Sequence, residues 1–329
     1  MKFLKTYLLA AALSSSLLFS SCQKDLDYIA TDPNQPTGPD TSWVSSITAS
    51  MPVVALHEAL QFEPTVDSFQ LFFGATTAAG LSNGITLAMP GGSLWNTNNV
   101  PVSGTIYAES YHLKSKGDLI RMGVPTAWNN RPLISGGAMY LRLTKNDTVL
   151  HVNPQQYLMI TSPEVQPRQG MKVFFGTQSA LTSFNWVPSA DSMNQVFAGT
   201  DFYNVLSNQL DWINIDQVYD TTGQPVTKVA ADLPSNYTNA NSMAFLVFQN
   251  VRTVLQLPAN VSLQQFVSEA VPGNQPATLV VLSKQGNDYY LGHTDFTISG
   301  STPTGSTQSV SVMPVITSMQ SILTYLNSL

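Results

Sequence analysis

The chain has 329 residues, a formal net charge of −6 and one cysteine. Charged residues make up 10% of it, against about 25% in an ordinary globular protein, and hydrophobic residues reach 43%. That balance excludes a disordered chain, and an acidic sequence with no basic run argues against nucleic acid or anionic lipid headgroups as partners.

The first 21 residues have the layout of a secretory signal. Lys2 and Lys5 form a short positive region, 8–19 is apolar, and Phe19-Ser20-Ser21-Cys22 closes it. The apolar stretch falls short of the roughly 20 residues that a membrane-spanning helix needs. The closing tetrapeptide resembles a bacterial lipoprotein box, with Phe19 where leucine is usual. The resemblance implies that Cys22 carries acyl chains such as palmitate. Two or more chains hold a protein on a membrane stably, since each buried CH₂ contributes about 0.8 kcal/mol. Gln23, Lys24 and Asp25 resemble the export tag that sends lipoproteins of the Bacteroidota to the outer face of the outer membrane; Leu26 departs from that tag. With Cys22 acylated, no thiol remains for a disulfide, a metal site or a nucleophile. The mature chain would carry a charge near −8, because Lys2 and Lys5 leave with the signal.

Residues 22–42 include Pro33, Pro36 and Pro39 without apolar periodicity, and read as a flexible tether. Residues 53–60 read as a short helix after Pro52, with a strand as the alternative. Apolar residues then alternate with a period near two, which predicts strands over 68–75, 85–89, 105–111, 139–144 and 157–160. Turn-forming residues separate them, among them Ser82-Asn83-Gly84, Ser135-Gly136-Gly137 and Asn146-Asp147. One helical turn is expected over 117–122. A second set of strands is predicted over 172–175, 211–215, 226–230, 244–248, 278–283, 289–293 and 309–313. The runs 244–248 and 279–282 are continuously apolar, as suits strands buried on both faces. A helix capped by Ser262 is expected over 262–269. An amphipathic helix is expected after Pro314, presenting Val315, Met319, Ile322, Leu323 and Leu326 to the second domain.

The expected fold is mostly β: two sandwich-like domains, 43–180 and 181–329, with a short C-terminal helix. The segments Gly84 to Pro90, Val100 to Thr105, Leu113 to Met122 and Ser135 to Leu141 resemble a module of Bacteroidota surface proteins similar to the ZU5 β-sandwich of ankyrins and netrin receptors. The resemblance implies a ZU5-like, immunoglobulin-like first domain in a family of unknown function. Some ZU5 relatives cleave themselves at His-Phe-Ser, a tripeptide this chain lacks, so that activity does not carry over.

Sites for chemistry are sparse. His57, His112, His151 and His293 are scattered without zinc-ligand spacing. Asp211, Asp216 and Asp220 lack the alternating pattern of a calcium loop, and no nucleophile elbow or phosphate loop occurs. No cofactor is expected. Trp95 and Trp128 each stand beside amides, the latter followed by Asn129, Asn130 and Arg131; an indole that stacks on a sugar ring beside hydroxyl-binding amides is glycan-recognition chemistry. Packing under their own loops is the competing reading, and Trp212 reads as core. Thr148, Ser192 and Thr221 follow aspartates in a pattern similar to the O-glycosylation signal of the Bacteroidota. These features describe a lipid-anchored, surface-exposed, non-catalytic binding or structural module whose partner is a glycan or another surface protein. A glycan-binding protein using Trp95 or Trp128, or a hydrolase whose acid pair meets only in the fold, are the alternatives.

Overall fold

The computed structural model describes residues 42–180, 183–300 and 306–329. The secretory-type segment, Cys22, Gln23, Lys24, Asp25 and nearly all of the tether lie outside the described residues. The described chain is mostly β, with 49% of its residues in strands and 9% in helices, and it belongs to one compact unit. No helix among the described residues is long and apolar enough to cross a membrane.

The first sandwich has two antiparallel sheets. One runs in the order Thr65–Leu71, Gly104–Leu113, Arg131–Lys145, Asp211–Val218, Lys172–Ala180, Ser183–Pro188. The other runs Gln195–Ala198, Phe202–Ser207, Leu158–Pro163, Thr86–Met89, Thr77–Gly80. Alternation decides which side chains face inward. Along Gly104–Leu113, Ile106 and Ala108 point into an aliphatic core with Leu87, Leu141, Ile160 and Ile213. The first strand stops at Leu71, short of the 75 expected, and Phe72 and Phe73 are exposed beyond it.

The boundary expected at 180 falls inside this sandwich. Lys172–Ala180 pairs on one side with Ser183–Pro188 and on the other with Asp211–Val218, so the first β-unit extends to Val218.

The second sandwich places the sheet Val254–Gln256, Ser242–Phe248, Pro276–Gln285, Asp288–Thr297, Val315–Thr317 against a smaller one built on Val226–Asp232. Thr307–Ser311 joins that smaller sheet in parallel. Every residue of Ser242–Phe248 is buried, as its unbroken apolar run predicts. Ala244, Leu246 and Phe248 fill the second sandwich, whereas Met243, Phe245 and Val247 point the other way. The opposite side is a third core, in the seam between the two sandwiches. There Phe174, Trp186 and Leu133 of the first sandwich meet Phe245, Val280 and Leu282 of the second.

All three described helices pack into this seam. Helix α1 (Pro52–Leu60) starts on a proline, which needs no N–H there, and buries Val53, Leu56 and Leu60 on one face. Helix α2 (Lys116–Arg121) begins with a reciprocal cap: Ser115 accepts from the Asp118 N–H while the Asp118 carboxylate accepts from the Ser115 N–H. Helix α3 (Met319–Asn327) is capped by the Ser318 hydroxyl and buries Ile322 and Leu326. It packs on α2, where a β-carbon at Gly117 would collide with the Leu326 carbonyl.

Three local expectations change. Residues 262–269 are not a helix: Gln265–Val267 is a strand against Val226–Asp232, which turns Phe266 into the second core. Val315 is not on the terminal helix but in the edge strand Val315–Thr317, where it and Ile316 are exposed. Helix α3 seals the seam rather than covering the outside of the second domain.

Candidate functional site

The two tryptophans singled out in sequence occupy different parts of the molecule. Trp95 lies on a two-residue strand paired with His151–Val152. Its indole N–H donates to the Gly92 carbonyl at 3.1 Å, and its ring meets His151 edge-on. The neighbouring amides serve their own loop. Asn96 Oδ1 accepts from the N–H groups of Asn98 and Val100, and Asn99 Oδ1 lies 3.1 Å from His151 Nε2.

Trp128, Asn129 and Arg131 do come together, on a tight hairpin. Asn129 and Asn130 have φ of 47° and 61°, the left-handed pair that a two-residue hairpin turn requires and asparagine tolerates. The Arg131 guanidinium lies over the Trp128 ring at 5.4 Å, and Phe174 meets the same ring edge-on. Asn129 exchanges hydrogen bonds with Asn185 through its N–H and its Oδ1. Packing thus engages one indole face with arginine.

The expected O-glycosylation positions sit in or next to turns. Thr148 follows the Asn146-Asp147 turn, whose residues have φ of 49° and 61°, and is half-buried. Ser192 is exposed and Thr221 half-buried. Asp191 and Asp220 each accept a backbone N–H two residues on, from Met193 and Thr222, so both aspartates have a turn-forming role of their own.

The histidines stay apart, and among the described residues no three His, Cys, Asp or Glu side chains lie close enough to hold a metal ion. His57 and His112 are held below the ordinary imidazole pKa, chiefly by burial. His112 Nε2 is 2.9 Å from Ser162 Oγ. His293 stacks on Tyr325, whose phenol is pushed up to about 12 by burial and then by Asp295. Asp216 is fully buried. Its Oδ2 accepts from Asn214 Nδ2 at 2.8 Å, its Oδ1 meets no hydrogen-bond donor at normal geometry among the described residues, and burial raises its pKa well above the usual carboxylate range, against a smaller opposing effect of the Ser135 hydroxyl.

Among the openings of the seam to solvent are two that local sequence did not reveal. One is a narrow cavity of about 90 Å³ lined by His57, Phe184 and Trp212. Trp212 lies parallel to Tyr111 at 6.0 Å and close to Tyr140 and Phe184, which makes it part of an aromatic cluster at the rim of the seam rather than deep core. Gly123, with φ of 65°, ends α2 where a side chain would strike the His57 ring.

The second opening is a polar cleft of about 370 Å³. Ser135 and Gly136, of the segment Ser135-Gly136-Gly137, line it. These residues were expected to form a turn, but they lie inside the strand Arg131–Lys145 at a β-bulge opposite Asn214 and Asp216. A side chain at Gly136 would strike Tyr203 and Ile215, and Gly137 has a φ of 126°, a backbone conformation that favours glycine. Lys114, Lys116, Arg168 and Arg252 converge on this cleft. Arg252 pairs with Glu164 at 2.9 Å, with both side chains largely buried. Burial alone would raise the Glu164 carboxyl; Arg252 and Lys114 outweigh it and hold it below its ordinary value. Lys116 donates to the Gln249 carbonyl at 2.9 Å, and burial, helped by Arg252, lowers its pKa. Lys114 donates to the Pro163 carbonyl. The Arg168 side chain makes no hydrogen bond or ion pair with the described residues.

Compared with protein-family models and with curated proteins, the chain matches none.

Proposed function

We propose that this chain is an outer-membrane lipoprotein, anchored through Cys22 and exposed at the cell surface, which works as a non-catalytic binding or structural module. The observation that carries the reading is the position of the only cysteine, at the end of a secretory-type segment and before a charged, proline-rich tether. The ZU5-like reading of the first sandwich belongs to this proposal and agrees with its paired antiparallel sheets. The non-catalytic part is supported by the polar cleft, whose lining holds one acidic side chain, Glu164, already committed to Arg252. A glycosidase of the two-carboxylate kind needs a second acid across its cleft.

Cys22→Ala should release the protein from membranes into the soluble fraction, measured by fractionation and detergent phase separation. Unchanged membrane retention would refute the anchor. Labelling of intact cells with a membrane-impermeant reagent should reach the native protein; failure to label it would refute surface exposure.

A further inference from the structure

We propose that the polar cleft in the seam binds the acidic group of a negatively charged glycan, a carboxylate or sulfate carried on a sugar ring. The proposal rests on the reading of the chain as a binding module and names the chemistry of its ligand. The chain is acidic overall, yet four of its 14 lysines and arginines line this one opening. They arrive from three distant segments, 114–116, 168 and 252, so the fold and not a local run concentrates them. With Glu164 set against them, the lining keeps an excess of positive charge. Gathering like charges in a partly desolvated cleft costs free energy that no packing need explains, and an oxyanion bound between them removes the cost. Lys114, Lys116 and Arg252 are held in place by carbonyls and by Glu164, which preorganises them. Arg168 is exposed and uncommitted, suited to close on a ligand.

The rest of the lining favours a hydroxyl-rich ligand over a bare ion. Gln166, Gln249, Asn250 and Ser115 offer both donors and acceptors around the cations. The cavity, about 370 Å³, falls in the range of pockets that take small organic ligands. Neither expected tryptophan takes part, so recognition here would rest on charge and hydrogen bonds rather than on stacking.

The test is calorimetric titration of the full-length protein in detergent with four probes: digalacturonic acid, galactose 6-sulfate, neutral galactobiose and inorganic sulfate. Saturable binding of either acidic sugar, with the other three weaker or silent, supports the proposal, and the acidic sugar that binds identifies carboxylate or sulfate as the source of charge. Arg168→Gln should weaken that binding by roughly fivefold or more, and Glu164→Gln should tighten it, because it removes the competing internal carboxylate. Lys172→Gln removes an exposed cation elsewhere and should change nothing. Opposite signs at 168 and 164 would not arise from a purely structural role. Equal binding of galactobiose, equal binding of inorganic sulfate, no binding of either acidic sugar, or indifference to both cleft variants would each overturn the proposal. Breakdown of an acidic sugar would keep the site but refute the non-catalytic reading; silence of all probes with the Cys22 anchor intact would do the reverse.

Discussion

The interior of the first sandwich and the seam beside it are both buried, but they are built differently. The interior is almost wholly aliphatic, formed by alternate residues of paired strands, with Tyr203 as its large aromatic member. The seam collects the described helices, Trp186, Phe174 and Phe245, a half-buried His57 and, at one margin, a cluster of cations. Repetition along strands yields a dry core with nothing left over for chemistry. Joining unlike surfaces yields gaps at the margins, and polar groups collect in them.

The strongest way to break this contrast is to damage the seam and ask whether both sandwiches notice. Trp186 is fully buried and donates its indole N–H to the Pro125 carbonyl at 2.8 Å. Trp186→Ala should cost about 3–5 kcal/mol and lower a single denaturation transition followed by circular dichroism. Two transitions, with only one displaced, would mean that the seam is not a shared core. Leu326→Ala probes the same core through α3 and should cost about 2–4 kcal/mol. Its transition should stay cooperative; a local loss of helix without a shift of the main transition would make α3 a mere appendage.

Asp216 sharpens the contrast from the polar side. Its carboxyl is neutral-favouring in the fold, so the stability linked to the neutral form is complete below the ordinary carboxylate range, about pH 4, and is lost as pH rises through the raised value. Asp216→Asn should therefore stabilise the protein at pH 7 by on the order of 1–3 kcal/mol, and the gain should disappear near pH 3. A loss of stability at pH 7 would show that the charged form is wanted there. His112 has the opposite sign. Its folded pKa is depressed, so stability falls as pH drops below about 6.5, where the unfolded imidazole takes up a proton. His112→Gln should flatten the stability profile between roughly pH 6.5 and 5, with the smallest effect of the four. An unaltered slope would mean that the imidazole is already solvated.

Much of the strand pattern was legible because burial on one face writes itself into every second residue, as in Gly104–Leu113, and burial on both faces erases the alternation, as in Ser242–Phe248. The Asn146-Asp147 turn was legible for a backbone reason, since few residues accept two left-handed positions in succession. The segment 262–269 was misread because a capping-type serine with apolar residues three and four apart fits a helix locally, while Phe266 answers to a core and a strand partner far away in sequence. Ser135-Gly136-Gly137 looked like a turn because glycine does not announce whether it bends a chain or lets another group approach it. The cleft itself was hidden entirely. No short stretch of sequence contains more than two of its four cations, and Lys114, Arg168 and Arg252 become neighbours only after two sandwiches have met. Trp128 was located correctly beside Asn129 and Arg131, but the arginine that looked available for a ligand lies over the indole instead.

The contact between Gly117 and Leu326 has a temporal meaning. Helix α3 emerges from the ribosome about 200 residues after α2, and such distant partners are slow to find each other. The first sandwich can complete its own interior while the remainder is still being made, but the face of α2 around Gly117 must wait, uncovered, for a lid that arrives late. A molecule clipped or stalled before α3 would thus display a greasy surface to proteases and chaperones, so that the seam doubles as a mark of whether synthesis was finished.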